Sequence, residues 1–318
     1  DRTEEKRRQS GSVLNSGCCR REDFRNASED KFQVLQQAFL LALRKYAASL
    51  HQMLPTPTSI NCKETKSYSL SSREEILVCK IVQVAHYFCI RLESFSAAMR
   101  DKRNSRHEHQ MDMSNEQKAF HDVANLAVDI LVSGFKIQTN SAFTEMSKTD
   151  WGRAIIDTTE ESTYVRSMSI TIKSFCENVQ CYLPPLYFRL LCQKLASAFL
   201  SKYFDILMSQ DKLSRSATEQ LLLDAYSLKE VLIKIPEMKK DSNHQDVAFY
   251  SMYKRNVMNG FDRIENLLHL VGTPSRSLVD VYRTNSQNGT AVGFRTIVDS
   301  KGVNRSQQCR MVRALDLD

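Results

Sequence analysis

The sequence predicts an all-α protein, arranged as an elongated stack of helical bundles. Three observations carry that expectation. Glycine (9) and proline (6) are scarce in a chain of 318 residues, whereas a β-sandwich or an α/β fold with phosphate loops needs many turn glycines. Apolar residues recur at three- and four-residue steps over segments of roughly 20 to 30 residues. No alternating apolar–polar run of strand length appears between them, and no short repeat period of the solenoid kind is present.

Residues 1–27 are dense in charge, poor in apolar anchors and read as a disordered lead-in. From Ser28 onward Phe32, Leu35, Phe39, Leu43, Tyr46, Leu50 and Leu54 keep a helical stripe that Pro55 ends. A polar loop near 56–70 follows. Ser71 and Ser72, each with a glutamate three residues on (Glu74, Glu75), form two overlapping capping boxes for the next helix. That helix carries Ile76, Cys79, Val82, His86, Cys89, Leu92, Phe95 and Met99, and gives way to a polar loop near 101–113. Ser114 with Gln117 opens a third helix, with Phe120, Val123, Ile130, Leu131 and Phe135 leading toward Met146. A fourth runs from Tyr164 to Leu183, where Pro184-Pro185 break it. Pro185 suits the first position of the fifth, which bears Phe188, Leu191, Leu195, Phe199, Tyr203 and Leu207. Ser216 and Glu219 open a sixth helix that Pro236 closes, before a polar loop near 238–247. The seventh carries Tyr250, Tyr253, Val257, Phe261, Ile264 and Leu268 through Asn259-Gly260, and stops at Gly272, read as a left-handed cap. Three short helices near 275–284, 290–300 and 304–315 finish the chain, with Gly302 between the last two and Asn304 with Gln307 capping the final one. The expected organisation is a lead-in 1–27, a first bundle 28–183 and a C-terminal bundle 184–318.

Composition narrows function. Hydrophobic residues make up 42% and charged residues 25%, ordinary for a globular protein. Lys and Arg number 44 against 37 Asp and Glu, a lean toward acidic partners well short of nucleic-acid-binder basicity. The nine cysteines contain no CxxC pair and read as reduced thiols of a cytosolic protein, packing as small hydrophobes. The opening at Asp1, with no Met and no signal pattern, leads us to expect a fragment of something longer. In such a protein the Asn-x-Ser/Thr matches at Asn26, Asn288 and Asn304 carry no glycan. No apolar run reaches membrane-spanning length. Phosphate-loop, dinucleotide, nucleophile-elbow, zinc-protease and EF-hand patterns are absent. His107, His109 and His121 lie in or beside a polar loop without cysteines at metal spacing. Cys176 and Cys181 share no helix face well and have no histidine nearby. The expectation is a non-enzyme without cofactor or metal.

Two surfaces qualify as interaction sites. The sixth helix places Leu221, Ala225, Leu228, Leu232 and Ile235 on one face, yet Leu222 and Tyr226 fall roughly 100–140° away and Leu223 on the far side. A helix apolar nearly all round is either sandwiched in a bundle or offers a strip to a partner. The last helix sets Arg305, Arg310 and Arg313 within one broad face opposite Met311, Val312 and Leu315, with Lys301 just upstream. Such a face is either plainly solvated or touches anionic lipid.

The string EQLLLDAYSLKEVL at Glu219–Leu232 resembles a stretch near the C-terminus of the vacuolar protein sorting-associated protein 53 family. FRTIVDSKGVNRSQQ at Phe294–Gln308 is similar to the family's closing segment. AFTEMSKTDW at Ala142–Trp151 and SREEILVCKIVQVAHYF at Ser72–Phe88 resemble it in the same order. The resemblance implies a rod of helical bundles of the kind shared by the exocyst, COG and Dsl1 tethers. It further implies a non-enzymatic subunit of the Golgi-associated retrograde protein (GARP) complex or its endosomal relative (EARP), peripheral on the cytosolic face of trans-Golgi and endosome membranes. The partners it implies are other tether subunits, SNAREs, small GTPases and anionic membrane, with no nucleic acid. The alternatives are a subunit of another helical-rod tether, or a basic helical nucleic-acid adaptor, whose binding would weaken steeply with salt.

Overall fold

Helical periodicity in the sequence becomes helix throughout the computed structural model, which describes residues 31, 33–55, 70–101, 112–152, 160–210, 212–238, 247–285 and 291–315. The expected lead-in and most of the three expected loops lie outside the described residues, as do Cys18, Cys19, Asn26, His107, His109 and Asn288. Among the described residues no strand occurs. The elements are α1 (33–52), α2 (Ser72–Asp101), α3 (Ser114–Lys148), α4 (Thr163–Gln180), α5 (Pro185–Met208), α6 (Arg215–Lys234), a 3-10 turn at Ile235–Met238, α7 (Val247–Gly272), α8 (Leu278–Asn285), α9 (Ala291–Ser300) and α10 (Arg305–Ala314).

Two compact units are present, one from Asp1–Leu54 with Val84–Ala124, the other from Pro55–Gln83 with Asn125–Asp318. Helices α2 and α3 each contribute residues to both. In the first unit Leu43, Ala47, Leu50 and Leu54 of α1 are buried. Phe88 stacks on Phe120 with centroids 4.9 Å apart, and Tyr46 tilts onto Phe88 at 5.1 Å. Arg44 donates from Nε to Glu116 Oε1 at 2.6 Å, giving that buried carboxylate a cationic partner. The stripe expected of α1 divides here, because Leu35, Phe39 and Tyr46 remain exposed on one edge while the other edge turns inward.

In the second unit α6 packs against α7 and α4, and α7 against α5, α8 and α9. The core joins Met168 and Ile172 of α4, Leu191, Leu195 and Phe199 of α5, Leu221 and Leu228 of α6, and Val257, Phe261 and Ile264 of α7. Because α4 packs on α6, this helix on the N-terminal side of the Pro184-Pro185 break lies in one unit with the helices of 184–318.

Several local expectations are corrected by the geometry. Of the two overlapping capping boxes only Ser71–Glu74 forms: Ser71 donates from N and Oγ to Glu74 Oε2, both at 2.8 Å. Glu75 turns inward and accepts from Gln138 Nε2 at 2.7 Å and Asn178 Nδ2 at 3.0 Å, so it ties α2 to α3 and α4 instead. The cap of α6 lies two residues earlier than Ser216, at Ser214, whose Oγ accepts from Ala217 N at 3.1 Å. Gly272 does not adopt positive φ; among the described residues the glycine that does is Gly302, at +67°. A Cβ at position 272 would stand 3.0 Å from Thr218 Oγ1, so that glycine serves close helix approach instead. The Asn259-Gly260 pair lies within unbroken α7, as the stripe predicts; the glycine there makes room for Leu200, whose Cδ1 a Cβ would meet at 2.5 Å.

Candidate interaction surfaces

The chemistry-bearing side chains divide into groups that build the fold and groups that face outward. Asp224, fully buried on α6, belongs to the first kind. Its carboxylate accepts from Ser162 N at 2.9 Å, Ser162 Oγ at 2.7 Å, Tyr164 Oη at 2.8 Å and Gln220 Nε2 at 3.1 Å. Ser162 is the N-cap of α4 and makes no side-chain cap bond of its own. Asp224 therefore supplies across space the acceptor and the negative charge that the positive end of α4 favours. Tyr164, fully buried beside Tyr203 and Asp224, has its phenol pushed well above the ordinary range, chiefly by burial and then by those neighbours. Sequence reasoning missed this latch. The available signal was one acidic residue at the edge of the inward Leu221–Ala225–Leu228 face.

The candidate residues of α6 resolve accordingly. Leu221, Ala225, Leu228 and Leu232 are fully buried, as the face assignment predicts. Leu222 and Leu223 are half-buried, and Tyr226 is 50% exposed. Lys229 carries its ammonium over the Tyr226 ring at 5.8 Å and pairs with Glu265 of α7 at 2.9 Å. Most of α6 is consumed by packing, and of the three only Tyr226 is exposed.

At the C-terminal end Arg305, Arg310 and Arg313 are exposed while Met311 and Leu315 are buried, the amphipathic split the sequence predicts. Asn304 Oδ1 accepts from Gln307 N at 2.9 Å and starts α10. Residues 274–315 hold seven Lys and Arg against two Asp and Glu, a net of +5 within a chain whose total is +7. Arg276, Arg283 and Arg295 are also exposed. Arg283 donates to the carbonyl of Ala314, fastening α8 to the end of α10. Lys301 stands apart from these arginines. It is half-buried, and its ammonium donates to the carbonyls of Val271 at 2.8 Å and Thr273 at 2.5 Å. That cation closes the negative end of α7, the task expected of Gly272. Burial lowers its pKa.

Among the described residues no group of three or more His, Cys, Asp or Glu is placed to hold a metal ion. Cys79, Cys89, Cys176 and Cys192 are buried. Burial pushes the Cys79 and Cys176 thiols to about 12 and Cys89 to about 11, so they are poor nucleophiles at neutral pH. Among the described residues no helix is long and apolar enough to cross a membrane.

Residues 219–303 match the family model described as vacuolar protein sorting-associated protein 53 C-terminus. The matched span starts with the EQLLLDAYSLKEVL string that holds Asp224 and runs into the segment that holds Lys301. Vacuolar protein sorting-associated protein 53 A of Arabidopsis thaliana is 26% identical over 278 residues, covering 86% of this chain and 33% of that protein. The vacuolar protein sorting-associated protein 53 homolog of Caenorhabditis elegans is 26% identical over 294 residues, covering 87% of this chain and 36% of that protein. The chain thus spans about a third of the length of these relatives and is similar to them over most of its own.

Proposed function

We propose that this chain is the C-terminal part of a non-enzymatic subunit of a vesicle-tethering complex of the GARP kind, returning endosome-derived vesicles to the trans-Golgi network. The observation that carries the reading is the similarity to vacuolar protein sorting-associated protein 53 over more than four-fifths of the chain. The fold is in keeping with it. Apolar stripes are spent on helix-to-helix packing, and Asp224, Glu75 and Glu116 are spent on joining helices. A tether needs stiff bundles and outward surfaces, and it needs no reacting atoms.

In this reading the protein sits peripherally on the cytosolic face of trans-Golgi and endosome membranes. The arginines of α8–α10 are its contact with anionic partners, whether lipid headgroups or acidic surfaces of SNAREs and small GTPases. Each basic residue near an anionic surface contributes about 1 kcal/mol. Reversing Arg305, Arg310 and Arg313 to Glu therefore lowers affinity for phosphatidylserine vesicles by at least about 3 kcal/mol, roughly a hundredfold. Folding stays intact because all three are exposed. The cellular test is return of an endosomal cargo to the trans-Golgi network after depletion of the protein and re-expression of the full-length form. Failure of depletion to slow that return would overturn the proposal.

A further inference from the structure

Helix α5 stands between α3 and α7 with an open groove on each side. The groove toward α3 measures about 890 Å³, and the half-buried Ile137 and Leu190 line it above the buried Val132, Phe135, Phe143 and Phe199. The groove toward α7 measures about 800 Å³, and the half-buried Leu200 and Phe204 line it above the buried Tyr253 and Val257. Gln193, Ser197, Ser201 and Asp205 line both. They recur every fourth residue and so form a single ridge along α5. From Gln193 to Asp205 that ridge runs about 18 Å, a little over three helical turns. The two serines at its middle keep it low.

The walls are fixed by contacts that leave the grooves open. Lys194 Nζ meets Asp129 Oδ1 at 2.6 Å and ties α5 to α3, and Phe143 packs on Phe199 at 5.3 Å. On the other side Leu200 closes onto Gly260, and the Arg263 guanidinium lies over the Phe204 ring at 4.9 Å. A surface already held in shape loses little entropy when it is occupied.

Charge around the rim sets the sign of the occupant. Asp129 and Lys194 neutralise each other. The other charged lining residues are Lys136, Lys202 and Arg263 against Asp205, all four exposed. Four half-buried apolar side chains, Ile137 and Leu190 on one side of the ridge and Leu200 and Phe204 on the other, within a net basic rim match a helix with one apolar face and acidic flanks. We propose that the paired grooves astride α5 dock an acidic amphipathic helix of a partner protein. Its apolar side chains, three and four residues apart, drop to either side of the serine ridge while its carboxylates face Lys136, Lys202 and Arg263. The site does not depend on the tethering reading, since its shape and charge are the same whichever assembly the chain joins.

The probe is a display library of twenty-residue helix-forming peptides, selected on the protein and counter-selected on a Ser201→Trp variant, in which an indole stands on the ridge. Ser201 and Lys202 are exposed, and circular dichroism confirms that each variant keeps the parent helicity. The expected result is enrichment of net-acidic peptides with apolar residues at i, i+3/i+4 and i+7. Their affinity falls by about tenfold or more on Ser201→Trp and weakens with added salt. A Lys136→Glu/Lys202→Glu double variant turns the preference toward basic peptides, and it decides the matter on its own should Ser201→Trp fail to fold. The proposal is overturned if no peptide is enriched, if the enriched peptides are neutral or basic, or if they bind the variants as well as the parent. It is also overturned if the protein sediments as a dimer that Ser201→Trp dissociates, which would give the grooves to a second copy of the chain.

Discussion

Asp224 offers the sharpest test of how the second unit is held together. Replacing it with alanine removes the acceptor for Ser162 N, Ser162 Oγ, Tyr164 Oη and Gln220 Nε2. The losses are unequal. Gln220 keeps a second partner, the Glu160 carbonyl at 2.8 Å, and Ser162 is only half-buried and can take water. Loss of the acceptor at the start of α4 costs about 1 kcal/mol, as for an N-cap residue. Tyr164 is buried to 2% exposure and retains only Tyr203 Oη at 3.4 Å, so its hydroxyl costs a further 1–2 kcal/mol or so. With the small void left behind, Asp224→Ala should destabilise by about 2–4 kcal/mol. Asp224→Asn should cost less, about 1–2 kcal/mol. Its carbonyl still accepts from Ser162 N, and its amide can donate to hydroxyls that rotate to accept. The assay is urea unfolding followed by fluorescence of Trp151, the single tryptophan, buried and edge-on to Tyr164 with centroids 6.4 Å apart. Alanine within about 0.5 kcal/mol of the parent, or asparagine as damaging as alanine, would refute the latch.

Alkaline pH should destabilise the fold. The thiols of Cys79, Cys89 and Cys176 are raised from 9.0 to about 11–12. Their stabilising contribution is therefore complete below pH 9 and is lost as pH climbs toward those folded-state values. Each thiol that ionises only in the unfolded chain lowers stability by about 1.4 kcal/mol per pH unit within that window. Urea midpoints that stay level between pH 8.5 and about 10.5 would contradict this. Lys301→Met should keep the packing of the stem but leave the Val271 and Thr273 carbonyls without the ammonium; a loss of about 1–2 kcal/mol is expected in the same assay, and none at all would deny the capping role. Leu228→Asp puts a charge at a fully buried position and should abolish cooperative unfolding. A native circular dichroism spectrum and unchanged melting temperature would show that the face of α6 is wrongly assigned.

What the sequence revealed and what it withheld follow from the range of the forces involved. Helix periods, the break at Pro184-Pro185 and the cap at Asn304 are local, and each stands where the sequence puts it. The inward face Leu221–Ala225–Leu228–Leu232 was legible for the same reason. Polar groups that act across space were not. Glu75 looks like one half of a capping box until Gln138 and Asn178 arrive from other helices. Lys301 looks like one more surface cation until α7 ends beside it. Gly272 looks like a left-handed cap because a local rule cannot see that a lysine 29 positions on does that work. The grooves astride α5 were equally hidden, since each is walled by helices distant in sequence.

A tethering subunit must live in a multisubunit assembly. Gel filtration of native extract, with immunoblotting for this protein and for the other subunits of the proposed tether, measures that directly. We predict co-elution in one large complex, and co-precipitation of those subunits from the same fractions. Elution at the mass of a free monomer, with no tether subunit in the precipitate, would contradict it.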